Sequence, residues 1–170
     1  MIDNLGTINV VSSKLVASDP CYELGIWCAA EISGVLNGEY QASVEIRDCD
    51  DWGRRVAWLK ILHKDFIEKE ENEELEKEYE LMCGVDSGTF CFSDHKYYAD
   101  YHTTSVDDEW YESVVIDMDY YGQTVDDKCV LSSSGYGDGG YEVYVLREPR
   151  NGYIVGAYVN FLDYEDDDEI

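Results

Sequence analysis

Three short polar stretches hold most of the side chains that could do chemistry: Ser18-Asp19-Pro20-Cys21-Tyr22, Gly84-Val85-Asp86-Ser87-Gly88-Thr89-Phe90, and the run from Ser132 through Gly135-Tyr136-Gly137-Asp138-Gly139-Gly140 to Tyr141. Asp19, Cys21, Asp86, Ser87, Ser134, Asp138 and Tyr141, with His95, would supply a nucleophile and a base if the fold gathered them, because such constellations are defined by geometry and not by sequence order. A plainer duty competes. An Asp before proline is held extended or in a turn, where its carboxylate accepts nearby backbone N–H groups, and a free Cys is more often a core residue than a nucleophile. The glycine run frees several positions for positive φ or for close approach to a ligand. It precedes a strand and lacks Lys, so it fails as a phosphate loop by itself. A phosphate there would need Arg54, Arg55, Arg147 or Arg150 beside it.

The three stretches, in this order, resemble the elements of the bacterial domain-of-unknown-function family 4241: a Ser-x-x-x-x-x-x-Asp-Pro element, a Val-Asp-x-Gly element and a Ser-Gly-[Tyr/Trp]-Gly-Asp-Gly-x-Tyr element before a final strand. The resemblance runs from about Gly6 to Leu162. It implies a fold and no activity.

Charge points to a partner. Acidic residues number 38 against 12 Lys and Arg, a formal charge of −26 spread along all 170 residues. Such a field repels nucleic acid and anionic membranes and speeds encounter with basic surfaces. The expected partner is a basic protein surface, with no direct nucleic acid and no membrane. Glu70, Glu71, Glu73 and Glu74 are the candidates for an acidic recognition arm, against the simpler reading of a solvated connector or short surface helix, which charge runs more often are. The functional expectation is a non-enzymatic acidic inhibitor or immunity-type module that blocks a basic nucleic-acid-handling protein, of the kind a phage or mobile element carries. The alternative is a small-molecule site, nucleotide-binding or hydrolytic, built from the Asp19, Asp86 and Asp138 segments.

No cofactor or metal is expected. The six cysteines include no Cys-x-x-Cys pair, and no Asp-x-Asp-x-Asp-Gly loop occurs. With no export signal or apolar span read in the sequence, the expected location is the cytoplasm, with reduced thiols.

The elements that must position these residues read as mainly β. With 45% hydrophobic and 14% aromatic residues the chain can build a substantial core. Gly6–Val11 and Lys14–Ala17 read as an opening hairpin, and Asn37-Gly38 as a turn joining Ile26–Leu36 to the alternating Tyr40, Ala42, Val44, Ile46 strand. Arg54–His63, Lys128–Leu131, Tyr141–Arg147 and Tyr153–Phe161 follow as strands, the last two joined at Asn151-Gly152. Residues 64–80 read as a Glu-rich excursion in which Leu75 and Tyr79 share a helical face. A capped helix is expected at 106–118 from Trp110, Val114 and Met118. The expected whole is one β-rich domain over 1–162, two packed antiparallel sheets or a partly open barrel, with an acidic tail at 163–170.

Overall fold

The computed structural model describes residues 1–102 and 121–162; the expected helix at 106–118 and acidic tail at 163–170 lie outside the described residues. Two antiparallel sheets face each other. The larger contains β1 (Ile2–Val10), β4 (Gly38–Asp48), β5 (Arg54–His63), β6 (Glu76–Val85), β10 (Gly139–Arg147) and β11 (Ile154–Asn160), in the spatial order β1-β4-β5-β11-β10-β6. The smaller contains β2 (Lys14–Ser18), β3 (Ala29–Ser33), β7 (Thr89–Asp94), β8 (Gly122–Val125) and β9 (Cys129–Ser133), in the order β3-β2-β7-β9-β8. The mainly-β expectation with two packed sheets therefore holds.

Alternation builds the core. On β4, Tyr40, Ala42, Val44 and Ile46 are buried while Gln41, Ser43 and Glu45 face outward, as a period of two dictates. Ile8, Leu59, Ile61, Val143, Val145 and Val159 join them from the larger sheet, and Leu15, Phe90, Phe92 and Val130 pack in from the smaller.

Neither of the first two expected hairpins forms. At Ser12-Ser13 the chain leaves one sheet for the other, so β1 pairs β4 while β2 pairs β3 and β7. At Asn37-Gly38 it crosses back, and β3 shares no ladder with β4. The two crossings are tied together: the Ser13 N–H donates to Asn37 Oδ1 at 2.7 Å. Gly38, at φ +139°, lies under the His63 ring, where a Cβ would come within 2.4 Å of Nε2. β4 and β5 pair as a hairpin, and the β10–β11 hairpin forms as expected, through Gly152 at φ +77°.

The Glu-rich excursion divides in two. A 3-10 turn at Lys64–Phe66 leads into a short helix, α1 (Ile67–Glu71), and Glu73 at φ +57° then turns the chain into β6. Leu75 and Tyr79 do not share a helical face; Tyr79 lies in β6 opposite Tyr144, where edge pairing with β10 overrides the helical spacing. A second helix, α2 (His95–His102), follows β7.

Candidate functional site

Asp19 sits where β2 ends and is fully buried. Its Oδ2 accepts the N–H groups of Asp86 and Ser87, both at 2.8 Å, and its Oδ1 accepts the Cys21 N–H at 3.0 Å and the Ser87 hydroxyl at 2.8 Å. The Tyr22 hydroxyl donates to Asp86 Oδ2 at 2.6 Å, a bond that, with burial and nearby negative groups, pushes its pKa up to about 12. From α2, the buried Tyr98 hydroxyl donates to the Tyr22 carbonyl. The third stretch joins through backbone: the Ser134 N–H donates to Gly88 O at 3.2 Å, the Ser134 hydroxyl to Gly137 O at 2.9 Å, and the Tyr141 hydroxyl to Gly137 O at 2.7 Å.

The stretches thus converge, yet their polar atoms are committed to one another. A carboxylate offers about four lone-pair sites, and Asp19 has four donors, so it acts as a brace between the β2–β3 loop and the β6–β7 turn. Asp138 stays exposed, and among the described residues it accepts no hydrogen bond. His95 is held elsewhere, its Nε2 2.7 Å from Glu31 Oε1. Cys21 is exposed, whereas Cys28 and Cys83 are buried, and burial raises their thiols to about 11 and about 12. Thiols so raised carry little thiolate at neutral pH. All six cysteines are free, and among the described residues no His, Cys, Asp and Glu side chains are grouped to hold a metal ion.

A second arrangement lies on the outer face of the larger sheet. Register aligns Lys60 of β5, Tyr158 of β11, Tyr144 of β10 and Tyr79 of β6 in one row across four strands. The Tyr144 and Tyr158 rings stack at 5.2 Å with planes 10° apart, and Tyr79 meets Tyr144 edge-on at 5.8 Å. A hydrogen bond to Glu142 pushes the Tyr144 hydroxyl up to about 12. α1 and the turn after it stand over this face and enclose an open cleft of about 650 Å³. Trp58, Lys60, Tyr158 and Asn160 make the floor, and Glu70, Glu71, Glu73 and Leu75 the wall. Three of the four expected acidic-arm residues therefore line one cleft, and Glu74 does not.

Two of the chain's own lysines enter this cleft. Lys60 Nζ lies 2.7 Å from Glu70 Oε1 and 5.6 Å from the Trp58 ring centroid, while Lys77 Nζ lies 6.0 Å from the Tyr158 centroid. The wall is anchored by Lys69, whose Nζ lies 3.1 Å from Glu148 Oε2. Trp58, Tyr158 and Lys77 went unnoticed in the sequence as site residues. For Trp58 and Tyr158 the signal was parity alone: each occupies an outward position between two buried neighbours, whereas Lys77 sits among exposed and half-buried acids and gives no such signal.

Fold and site together define an antiparallel β-sandwich protein with an acidic, aromatic-floored cleft. The chain belongs to the family described as "Protein of unknown function (DUF4241)", whose model matches residues 8–155. No curated protein and no solved structure matches it. Among the described residues no helix is long and apolar enough to cross a membrane.

Proposed function

We propose that this is a non-enzymatic acidic binding protein, an inhibitor or immunity-type module whose cleft receives arginine and lysine side chains of a basic, nucleic-acid-handling protein. The observation that carries the reading is the pairing of carboxylates with aromatic faces in one cleft, already used by the chain's own Lys60. A guanidinium suits it best, since it stacks on a ring while its edge meets carboxylates. Cation–ring contacts at exposed sites contribute about 0.5–1 kcal/mol each and exposed ion pairs about 0.2–1. A few such contacts give only modest affinity, so the long-range field must supply speed and the rest of the interface the remaining strength. Free thiols fit a cytoplasmic setting. Blocking a basic enzyme by placing carboxylates where phosphates would lie suits a phage or mobile-element counter-defence role.

The test uses an arginine-rich peptide as probe. Glu70, Glu71, Glu73 and Glu74 are changed together to Gln, and a control removes equal charge at Glu23, Glu39, Asp50 and Asp51. The cleft variant should bind the peptide at least about tenfold more weakly than the control and melt within about 1 kcal/mol of the parent, because the altered carboxylates are exposed or half-buried. Equal weakening in both variants would mean that only net charge matters and would overturn the cleft reading.

A further inference from the structure

We propose that the end of the β4–β5 hairpin and the glycine-rich loop form a binding site for a nucleoside monophosphate. The site lies apart from the acidic cleft, and its failure would leave that reading untouched. Arg54, Arg55, Val56, Tyr121, Ser133 and Gly135 line a notch of about 160 Å³. That is roughly five times the ~30 Å³ share of one water molecule, room for a single phosphoryl group and not for a nucleoside.

Arginine and serine groups at this notch keep donors to spare, which is unexpected in a chain where acids outnumber bases 38 to 12. Among the described residues neither Arg54 nor Arg55 forms an ion pair. Arg55 donates through Nε to the Trp52 carbonyl at 2.9 Å, which orients its guanidinium and leaves the Nη donors available. Ser133 contributes a hydroxyl that makes no hydrogen bond within the described residues. Of the nearby acids, Asp48, opposite Arg54 in register, accepts the Asp50 N–H at 3.0 Å and Glu45 takes Arg47 at 2.9 Å, while among the described residues Asp50, Asp51 and Asp138 in the flanking turns form no ion pair with either arginine. The glycine-rich loop, which alone lacks a cation, here meets two.

Aromatic surface for a base stands beside the notch. The Arg55 guanidinium carbon lies 5.5 Å from the Tyr136 ring centroid, and Trp52 meets Tyr136 edge-on at 6.3 Å. Trp52 is 68% exposed, so its ring offers a face on which a base can stack. Two arginines balance the roughly two charges of one phosphate monoester. A longer polyphosphate or nucleic acid would extend further phosphates into the field of the −26 chain, which selects for a single phosphate.

Calorimetry on the full chain at low ionic strength tests this with the four ribonucleoside monophosphates, inorganic phosphate and a 5′-phosphorylated oligonucleotide. At least one monophosphate should bind about tenfold or more tightly than either inorganic phosphate or the oligonucleotide. Arg54→Ala should weaken it about tenfold, and Trp52→Ala, an exposed change that spares the fold, should reduce the nucleotide to the affinity of inorganic phosphate. Ser133→Ala should weaken all phosphate binding severalfold. No heat at millimolar ligand, equal binding of inorganic phosphate, preference for the oligonucleotide, or unchanged affinity in a folded Arg54→Ala variant would each overturn the proposal.

Discussion

Asp19→Asn exchanges one carboxylate oxygen for an NH2 group at a buried position that receives four donors. The amide oxygen can keep the Asp86 and Ser87 N–H groups, and the Ser87 hydroxyl can reverse to accept from the new NH2. The Cys21 N–H then faces a donor. One buried donor left unsatisfied costs about 1–3 kcal/mol, and the two retained bonds lose their charge assistance at about 1 kcal/mol each. Relief from burying a charge offsets part of this, leaving a net loss of about 2–4 kcal/mol. At about 2–4 °C per kcal/mol for a chain of this size, the Tm should fall by roughly 5–15 °C. Urea unfolding followed by tryptophan fluorescence measures the loss directly. Asp86→Asn is the internal comparison: its carboxylate is exposed and accepts the Tyr22 hydroxyl, so it should lose about 1 kcal/mol or less. If Asp19→Asn cost no more than Asp86→Asn, the brace would be misassigned and the Asp19 carboxylate would not organise the two loops.

Two further perturbations probe the frame around the sites. The Arg150 backbone N–H, followed by the Lys69 ammonium, holds Glu148 below its ordinary carboxylate range. A group depressed in the folded state stabilises above its unfolded pKa and loses that contribution as pH falls through the folded value. Glu148→Gln should therefore be less stable than the parent at neutral pH, and the gap should close below 4.5 in urea titrations across pH. Gly137 sits at φ +115° and Gly139 does not have positive φ, so Gly137→Val should cost about 1–3 kcal/mol by thermal melting, with Gly139→Ala costing less.

Where local chemistry decides structure, the sequence was legible. The Tyr40-to-Ile46 alternation and the Asn151-Gly152 turn led to β4 and to the β10–β11 hairpin. Ser12-Ser13 and Asn37-Gly38 misled because a turn has the same composition whether the chain returns in its own sheet or crosses to the facing one. β8, four residues long, and β7, buried along its whole length, gave no clear period to read. The polar stretches converge in a brace that no spacing rule encodes, since Asp19 meets residues 67 and 68 positions away. The cleft was half visible. Its acidic wall stood out as a run of Glu, but its floor combines outward residues from β5 and β11, whose adjacency depends on strand order.

That strand order bears on how the molecule is made. β11, residues 154–160, lies between β5 and β10 in the middle of the larger sheet. Until it arrives, the sheet can exist only as two fragments, β1-β4-β5 and β10-β6, and the inner edge of each is unpaired. The waiting edge of β5 runs through Trp58, Leu59, Ile61 and Leu62, an apolar template for pairing with other chains. Assembly order is thus a hazard, and the dense negative charge along the nascent chain keeps neighbouring copies apart while that edge stands open.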